Sequence, residues 1–362
     1  MLPLTWALDA NEISECPLLE ERAIPSSIQD GIRVSDIKVI MALGDSATAG
    51  FGAKTTTFLD TQFLQEYRGL SFAMGGDPGA PTLANFVKHY RPELVGASRG
   101  THLIELCWHG EFCAPDELAY RPLLDQLNAA QSGATSQTLG MELRYLKRQM
   151  AIKGIAHEEW KLLTLFIGSN EICRKSCEPF ANPKNQASLF EKRLVKTLRE
   201  ISKMMPRTIV NVMQLADLSQ VDKFSRAHVR CLPVRPFLSA ICPCAINHGE
   251  RGRWAMRAAS FEYNQRIIRL VKRFNLHQKR KGPHWTVAAL ASPLLRDTDL
   301  AVDIPAHFAS RLDCFHPSAT AHGSMAKALW RDIHQRYEKR TSHLFEQPLV
   351  YCPSNKDKIQ ID

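Results

Sequence analysis

Long apolar runs are missing from this sequence of 362 residues. No stretch approaches the roughly 18 consecutive apolar residues that a membrane-spanning helix needs, so no transmembrane segment is predicted. An Asn-X-Ser/Thr glycosylation sequon is absent too. The first twelve residues, MLPLTWALDANE, also lack the basic start of a secretory signal peptide. From these absences alone the cellular location stays open.

Negative charge is the minority sign, and the net charge of +9 raises the question of an anionic partner. Lysine and arginine concentrate at 191–207 and 266–281, both with the spacing of amphipathic helices. Nucleic-acid binding is not predicted, because the sequence contains neither a basic run interleaved with aromatics nor a known module. A solvated surface and contact with anionic lipid head groups both remain open interpretations.

Cysteine, by contrast, is plentiful, with ten residues. Seven of them form local groups: Cys107/Cys113, Cys173/Cys177 and Cys231/Cys242/Cys244. An even count in local groups favours disulfides made in an oxidising compartment. The last group and His248 also contain enough ligands for zinc, although the usual C-x-x-C spacing is absent.

Five apolar runs have the length and composition of strands: 37–43, 70–74, 160–167, 208–215 and 285–290. They are nearly continuous rather than alternating, which is typical of parallel strands covered on both faces. Helical patterns lie between them, at 82–90, 136–151, 190–205, 255–276 and 321–337. The alternation predicts one doubly wound α/β domain. Residues 217–250 show no clear period and are predicted to form a long excursion loop.

Three polar stretches follow predicted strands, where functional groups of parallel α/β sheets collect. Ser46 follows the first strand, Gly75 and Gly76 follow the second, and Asn170 follows the third. Ser46 is either a nucleophile or the N-cap of an ordinary helix. Its backbone N–H, a glycine N–H and the Asn170 amide are candidate donors to an oxyanion. A plain turn and an Asx-turn are the alternatives for the glycines and for Asn170.

A base for Ser46 is available near the C-terminus, in the stretch LDCFHPS. Serine needs an imidazole that a carboxylate holds in the correct tautomer. Asp313 and His316, three residues apart, supply both groups on one loop. A structural histidine is the competing interpretation for His316. His322, inside the following helix, is predicted to serve packing or capping.

Together these stretches resemble the GDSL, or SGNH, hydrolase superfamily, and specifically its phospholipase B-like branch. The four blocks are ALGDSATAGFGA, RGLSFAMGGDPG, LFIGSNEIC and LDCFHPSATAH. They supply the family's serine, glycine, asparagine and histidine in order, and the likeness extends from about residue 36 to residue 330.

The resemblance implies roles for individual residues. Ser46 is the expected nucleophile, His316 the base and acid, and Asp313 the carboxylate that orients it. Gly76 is the expected glycine donor, with Gly75 as the fallback, beside Asn170. Three positions depart from the family pattern: Ala47, Ser169 and Glu171. Glutamate in place of aspartate at 171 lengthens the side chain beside Asn170, which puts full activity in question.

The resemblance also implies a flavodoxin-like, three-layer α/β/α sandwich with no metal or other cofactor. The expected division is an N-terminal extension at 1–35, the hydrolase domain at 36–340 and a C-terminal tail at 341–362. Members of this branch are secretory or membrane-anchored, so disulfides are preferred over zinc in the group at 231–244. Cys173 and Cys177 are expected to restrain the loop that carries Asn170 through a disulfide. A secreted, extracellular or membrane-associated location is predicted.

The predicted function is hydrolysis of acyl esters of phospholipids and lysophospholipids through a serine triad and an acyl-enzyme, at a membrane or micelle interface. A short-chain or carbohydrate acetylesterase of the same superfamily is the first alternative. A catalytically weak, lipid-binding homologue is the second.

Overall fold

The computed structural model describes residues 8–55, 64–108, 110–115, 118–293, 304–340 and 349–362. The strands in these ranges are β1 (Leu8–Ala10), β2 (Ile37–Gly44), β3 (Gln65–Glu66), β4 (His102–Leu103), β5 (Trp160–Phe166), β6 (Thr208–Met213), β7 (Val287–Ser292) and β8 (Val350–Cys352). The α-helices are α1 (Ser46–Ala49), α2 (Leu83–Tyr90), α3 (Pro122–Asp125), α4 (Leu139–Ile152), α5 (Ser169–Lys175), α6 (Pro183–Met204), α7 (Val221–Ala227), α8 (Arg235–Ile241), α9 (Pro243–Ile246), α10 (Gly249–Lys279) and α11 (Ala319–Ile333).

Four parallel strands form the central sheet, in the order β2-β5-β6-β7. Every residue of β5, β6 and β7 is buried, and in β2 only Lys38 is partly exposed. Burial on both faces explains why these runs are continuously apolar rather than alternating. Helices α4, α6 and α10 pack in one group, and α2 packs against α11. The predicted α/β class is therefore confirmed, as are four of the five predicted strands.

The remaining prediction, a strand at 70–74, is wrong. Its residues follow a short 3₁₀ helix, Arg68–Leu70, and continue as turns. The side chains of Phe72 and Met74 are nevertheless fully buried. A short apolar run indicates that a segment is buried, but burial alone does not distinguish a strand from another core segment.

Two other segments occupy the free edge of β2. The Ile40 N–H donates to the Val95 carbonyl at 2.9 Å, and the Ala42 N–H donates to the Leu127 carbonyl at 3.1 Å. The Ala129 N–H in turn donates to the Ala42 carbonyl at 2.9 Å. Residues 127–131 thus run beside β2 and carry the chain past its carboxyl end.

The five predicted helices are present, with different ends. The N-cap predicted at Thr82 is confirmed, since its hydroxyl accepts the Asn85 N–H at 3.2 Å. Helices α6 and α10 both begin earlier than predicted. Because several helix boundaries depend on tertiary contacts, sequence periodicity locates helices better than it locates their ends.

The excursion predicted as a loop at 217–250, called the helical insertion below, is not irregular. It contains α7, α8 and α9 and leads into α10. Pro236 and Pro243 lie in the first turns of α8 and α9. Proline is tolerated there because the first N–H groups of a helix have no intrahelical partner. These two prolines therefore mark helix starts within the segment.

All ten cysteines form disulfides, namely Cys16–Cys352, Cys107–Cys113, Cys173–Cys242, Cys177–Cys244 and Cys231–Cys314. Cys173 and Cys177 do not bond to each other; each joins α5 to the helical insertion. The sulfurs of Cys231, Cys242 and Cys244 are consumed in these bonds and are not available as thiolate ligands for zinc. Five disulfides fit a secreted or extracellular protein.

The two terminal segments are joined to each other. Strand β1 pairs antiparallel with β8, and Cys16 is bonded to Cys352 beside that pair. The domain boundaries at 35 and 340 stay predictions. Within the described ranges, no helix combines the length and apolar character needed to cross a bilayer.

Candidate active site

Ser46 lies directly beyond the carboxyl end of β2, as the first residue of α1. The N-cap is Asp45, whose Oδ1 accepts the Ala47 N–H at 3.1 Å. The interpretation of Ser46 as the cap is therefore wrong, and its hydroxyl is free for another role. Glycine is required at position 44, because a Cβ there would lie 2.5 Å from the Thr48 hydroxyl oxygen.

A chain of hydrogen bonds joins Ser46 to His316 and Asp313. The Ser46 Oγ is 2.7 Å from His316 Nε2, and His316 Nδ1 is 2.5 Å from Asp313 Oδ2. All three residues are buried. The other oxygen of Asp313 accepts the N–H groups of Phe315 and His316 at 2.9 and 3.0 Å.

The ionisation state of Asp313 determines which ring nitrogen of His316 carries the proton. Burial acts to raise the pKa of Asp313, but the charge of His316 and three hydrogen bonds outweigh it and hold that pKa below its ordinary value. The ionised carboxylate only accepts, so His316 Nδ1 carries the proton and Nε2 accepts the Ser46 hydroxyl. This tautomer is the one in which an imidazole can take a proton from serine.

The loop that carries Asp313 and His316 is held by covalent and packing contacts. Between them, Cys314 adopts a left-handed backbone, with a φ of 55°, and is bonded to Cys231 of the helical insertion. The rings of Phe51 and Phe315 meet the His316 ring edge-on, with centroids 4.9 and 5.0 Å away. These contacts restrict the rotation of the imidazole.

Asn170, the second residue of α5, reaches the same site from the end of β5. One Nδ2 hydrogen is donated to the Ala134 carbonyl at 2.8 Å, which leaves the second hydrogen for another acceptor. The neighbouring Glu171 accepts the Ser136 N–H at 2.7 Å and is buried. The longer side chain at 171 thus fastens the 134–136 segment and leaves Asn170 at the site.

Gly75 and Gly76 are not brought to the serine as donors, which corrects the glycine assignment from the sequence. The Gly75 N–H already donates to the Ser71 carbonyl at 2.8 Å, and the Gly76 N–H donates to the Ser98 carbonyl at 2.7 Å. Neither glycine lines the cavity at Ser46. The error follows from the wrong strand at 70–74, because its supposed end is not at the carboxyl edge of the sheet.

A third glycine, Gly133, lies on the segment that runs past the carboxyl end of β2. The Gln131 N–H donates to the Gly44 carbonyl at 3.1 Å, and Ala134 contacts Asn170, so Gly133 lies between the two strand ends. Its φ is +82°, and no acceptor for its N–H exists among the described residues. The sequence signal was the stretch LNAAQSG at 127–133, which ends in Ser-Gly.

The RGLSFAM block has a supporting role instead. Arg68 and Glu66 are fully buried and paired at 2.6 Å. The Ser132 hydroxyl donates to Glu66 at 2.6 Å, and Arg68 donates to the Asn128 carbonyl at 3.3 Å. This ion pair therefore holds the segment that ends at Gly133.

His322 is a packing residue, as the sequence predicts. It is buried, its Nδ1 accepts the Phe72 N–H at 3.2 Å, and its ring stacks on Phe72. Burial lowers the pKa of His322 to about 3, so the ring is neutral.

A cavity of about 170 Å³, called the serine cavity below, opens at Ser46 and His316. Its wall is mainly apolar and includes Asn170 as a polar member. The apolar side chains come from the helical insertion, from the loop before His316, from the sheet and from α11: Leu218, Val221, Phe224, Ile304, Phe308, Phe315, Phe166 and Met325. A hydroxyl with a base faces an apolar space, which suits a hydrophobic substrate group.

A serine, a histidine and an aspartate at the carboxyl edge of a parallel sheet form the arrangement found in ester hydrolases. The model of the family described as GDSL-like lipase/acylhydrolase matches residues 40–329. The chain belongs to this family of ester hydrolases, as the four sequence blocks predict.

Three curated relatives carry the name membrane-associated phospholipase B1. The human protein is 28% identical over 344 residues, and the mouse protein is 30% identical over 350 residues. The matches cover 91% and 92% of this chain and 22% of each relative. The chain thus spans about a fifth of the length of the relatives that it matches.

Two solved bacterial structures were also compared. The extracellular lipase of Streptomyces rimosus has 14% identity and a TM-score of 0.32, covering 79% of this chain and 94% of its own. Phospholipase A1 of Streptomyces albidoflavus has 15% identity and a TM-score of 0.33, with 80% and 96% covered. Both TM-scores are low, and the fold assignment depends on the sheet itself.

Proposed function

We propose that this protein hydrolyses acyl esters of phospholipids and lysophospholipids, with Ser46 as the nucleophile. The observation that carries the proposal is the continuous hydrogen-bonded chain from Ser46 through His316 to the buried Asp313, at the wall of an apolar cavity. The names of the mammalian relatives support a phospholipid substrate.

The proposed reaction proceeds in two halves. Ser46 Oγ attacks the ester carbonyl while His316 Nε2 takes its proton, and the C–O bond to the leaving alcohol breaks as His316 returns that proton. Water then attacks the acyl-enzyme with His316 again acting as base, which releases the fatty acid and restores Ser46. Asp313 remains ionised and steadies the imidazolium.

The proposed oxyanion donors are the Ser46 N–H, the Gly133 N–H and the second Nδ2 hydrogen of Asn170. A developing alkoxide is stabilised by two or three fixed donors, each worth about 10²–10³ in rate. Gly133 replaces Gly75 and Gly76 in this role because its N–H is unengaged within the described part of the chain, whereas theirs are bonded.

The test is covalent labelling by a fluorophosphonate, followed by hydrolysis of a panel from p-nitrophenyl acetate to micellar lysophosphatidylcholine. We expect Ser46→Ala to abolish labelling and to lower kcat by at least about 10⁴-fold. Ser169→Ala is the matched control, since Ser169 also lines the serine cavity but has no base in contact. Labelling that survives Ser46→Ala would contradict the assignment of the nucleophile.

A short-chain esterase is the second candidate, and the size of the serine cavity favours it. At about 170 Å³ the cavity is smaller than the roughly 300–1,000 Å³ of common ligand pockets. A long acyl chain must therefore extend beyond the enclosed space. Faster hydrolysis of p-nitrophenyl acetate than of every long-chain lipid would select this candidate and reject the phospholipase assignment.

A further inference from the structure

A second cavity, of about 420 Å³ and called the basic cavity below, lies beside the serine cavity. Its wall carries the side chains of Lys54, Arg230, His307 and Arg311. None of the described residues that line it is an aspartate or a glutamate. Lys54 and Arg311 are exposed and have no ion-pair partner in the described ranges. Several positive charges therefore converge without a carboxylate among the described residues of the wall.

Buried hydrogen-bond donors in the same wall also have no partner. Thr55 is 4% exposed, and its hydroxyl has no hydrogen-bond partner among the residues that the structure describes. The Nε of Arg230 is likewise buried and unpartnered there, while its Nη2 donates to the Ala306 and Ala309 carbonyls. Such groups cost free energy when unsatisfied, so a ligand with acceptor oxygens is expected beside them.

A helix end adds to the positive field. The 15-residue helix α11 begins at the basic cavity, where Ser318, Ala319 and Thr320 contribute to the wall. The N-terminus of a helix carries partial positive charge and favours an anion. Burial and, after it, the charge of Arg311 lower the pKa of Arg230, so an anion beside these two guanidinium groups would be favourable.

The basic cavity shares structure with the site at Ser46. Ala309 lines both cavities and pairs across a β-bridge with Pro317, which lines the serine cavity. The Ser310 N–H donates to the carbonyl of His316 at 2.7 Å. One short hairpin, at 309–317, therefore separates the two cavities and carries His316.

We propose that the basic cavity binds a phosphate group, and that in the ester hydrolase this group belongs to the head group of the lipid substrate. The head-group role rests on the proposed function, whereas phosphate binding does not. A phosphate presents several charged acceptor oxygens, which suit arginine and lysine donors and the free Thr55 hydroxyl. Because none of the described wall residues is a carboxylate that would pair with a choline cation, the cavity favours a head group that ends in a phosphate monoester over zwitterionic phosphocholine.

The first experiment measures binding without turnover. Ser46→Ala protein is titrated with inorganic phosphate and with glycerol 3-phosphate, with calorimetry as the readout. We expect saturable binding that weakens at least about tenfold in Lys54→Gln/Arg311→Gln, because each loses a charge-assisted hydrogen bond. The control pair, Lys272→Gln/Arg280→Gln, removes the same two charges from exposed positions at α10 and should bind like the parent.

The second experiment identifies the source of the phosphate. In the active protein, kcat/KM is compared for lysophosphatidate and for the monoacylglycerol with the same acyl chain. The measured quantity is kcat/KM for lysophosphatidate divided by kcat/KM for the monoacylglycerol. If the cavity binds the head group, Lys54→Gln/Arg311→Gln lowers this ratio at least about tenfold and leaves monoacylglycerol hydrolysis unchanged.

The outcomes separate the two proposals. No saturable phosphate binding, or equal weakening by the control pair, overturns the phosphate site. Binding with an unchanged substrate ratio supports the site and assigns it to free phosphate. If the protein binds phosphate but hydrolyses no ester, the phosphate site is supported. In that case only the proposed function is rejected.

Discussion

Asp45 is a carboxylate in surroundings that oppose its charge. It is 1% exposed, and its Oδ2 has no partner among the described residues. Glu142 and Glu171 are buried near it, and the Ala47 N–H is the donor to its Oδ1. Burial raises the pKa of Asp45 to about 7, far above its usual value. Next to Ser46, the folded protein therefore holds a proton that the unfolded chain loses near pH 4.

This proton predicts a pH dependence of stability. Between about pH 4 and 7 the folded state binds more protons at Asp45 than the unfolded state, so the free energy of unfolding falls as the pH rises and levels off above 7. We expect Asp45→Asn, which keeps an oxygen for the Ala47 N–H, to reduce that fall by about 3 kcal/mol. Urea unfolding at pH 4.5 and pH 8 measures the difference.

An exposed aspartate provides the control for this residue. Asp9→Asn should leave the difference between the two pH values as it is in the parent protein. If Asp45→Asn and the parent lose the same free energy between pH 4.5 and pH 8, Asp45 is ionised throughout and the assignment fails.

The helical insertion is the element that connects the parts of the candidate site. Two disulfides join it to α5, which carries Asn170, and Cys231–Cys314 joins it to the loop that carries His316. Its own Leu218, Val221 and Phe224 line the serine cavity. A segment that the sequence predicted as a loop therefore supplies one wall of the cavity and restrains two groups beside Ser46.

The two disulfides between the helical insertion and the α5 region are interleaved in sequence, because Cys173 pairs with Cys242 and Cys177 with Cys244, and this predicts non-additive costs of their removal. They close loops with sequence separations of 69 and 67 residues. Once one bond is present, the other closes only a short ring through 173–177 and 242–244. Removing either by alanine should cost about 2 kcal/mol of unfolding free energy, and removing both about 6 kcal/mol.

Chemical denaturation of the two double variants and the quadruple variant measures these costs. The informative quantity is the excess of the combined loss over the sum of the separate losses. A combined loss equal to that sum would mean that the unfolded chain gains no entropy from release of the long loop.

Charge and apolar exposure together predict that the protein adsorbs to an anionic lipid surface. The net charge is +9, and Val229 and Trp254 are 81% and 69% exposed at and just beyond the helical insertion. Arginines lie near them, for example Arg226 and Arg257, both largely exposed. Cationic side chains next to exposed aromatic and aliphatic ones suit an anionic lipid surface.

The whole-molecule prediction is salt-sensitive adsorption. We expect the protein to co-sediment with phosphatidylglycerol vesicles and to release as salt increases, since the Debye length falls from about 8 Å at 0.15 M to about 3 Å at 1 M. Hydrolysis of lysophospholipid should rise once the substrate passes its micellar threshold. Equal binding to neutral phosphatidylcholine vesicles, or no response to salt, would contradict an electrostatic interface.

The sequence by itself determined the α/β class and four strands, since continuous apolar runs record burial on both faces of the sheet. It also located Ser46, Asn170, Asp313 and His316, because parallel strands bring their carboxyl ends to one edge and a D-x-x-H spacing fits one loop. The structure brings these four residues together as expected; their chemical roles await the labelling experiment.

Only the tertiary structure decided which segment pairs with the free edge of β2, which cysteines pair and what the helical insertion is. Residues 127–131, and not 70–74, run along β2, and local sequence carries no record of which segment takes an open sheet edge. Cys173 finds Cys242 across 69 residues because packing of α9 on α5 brings them together. Spacing along the chain measures proximity in sequence, whereas disulfides and oxyanion donors depend on proximity in space.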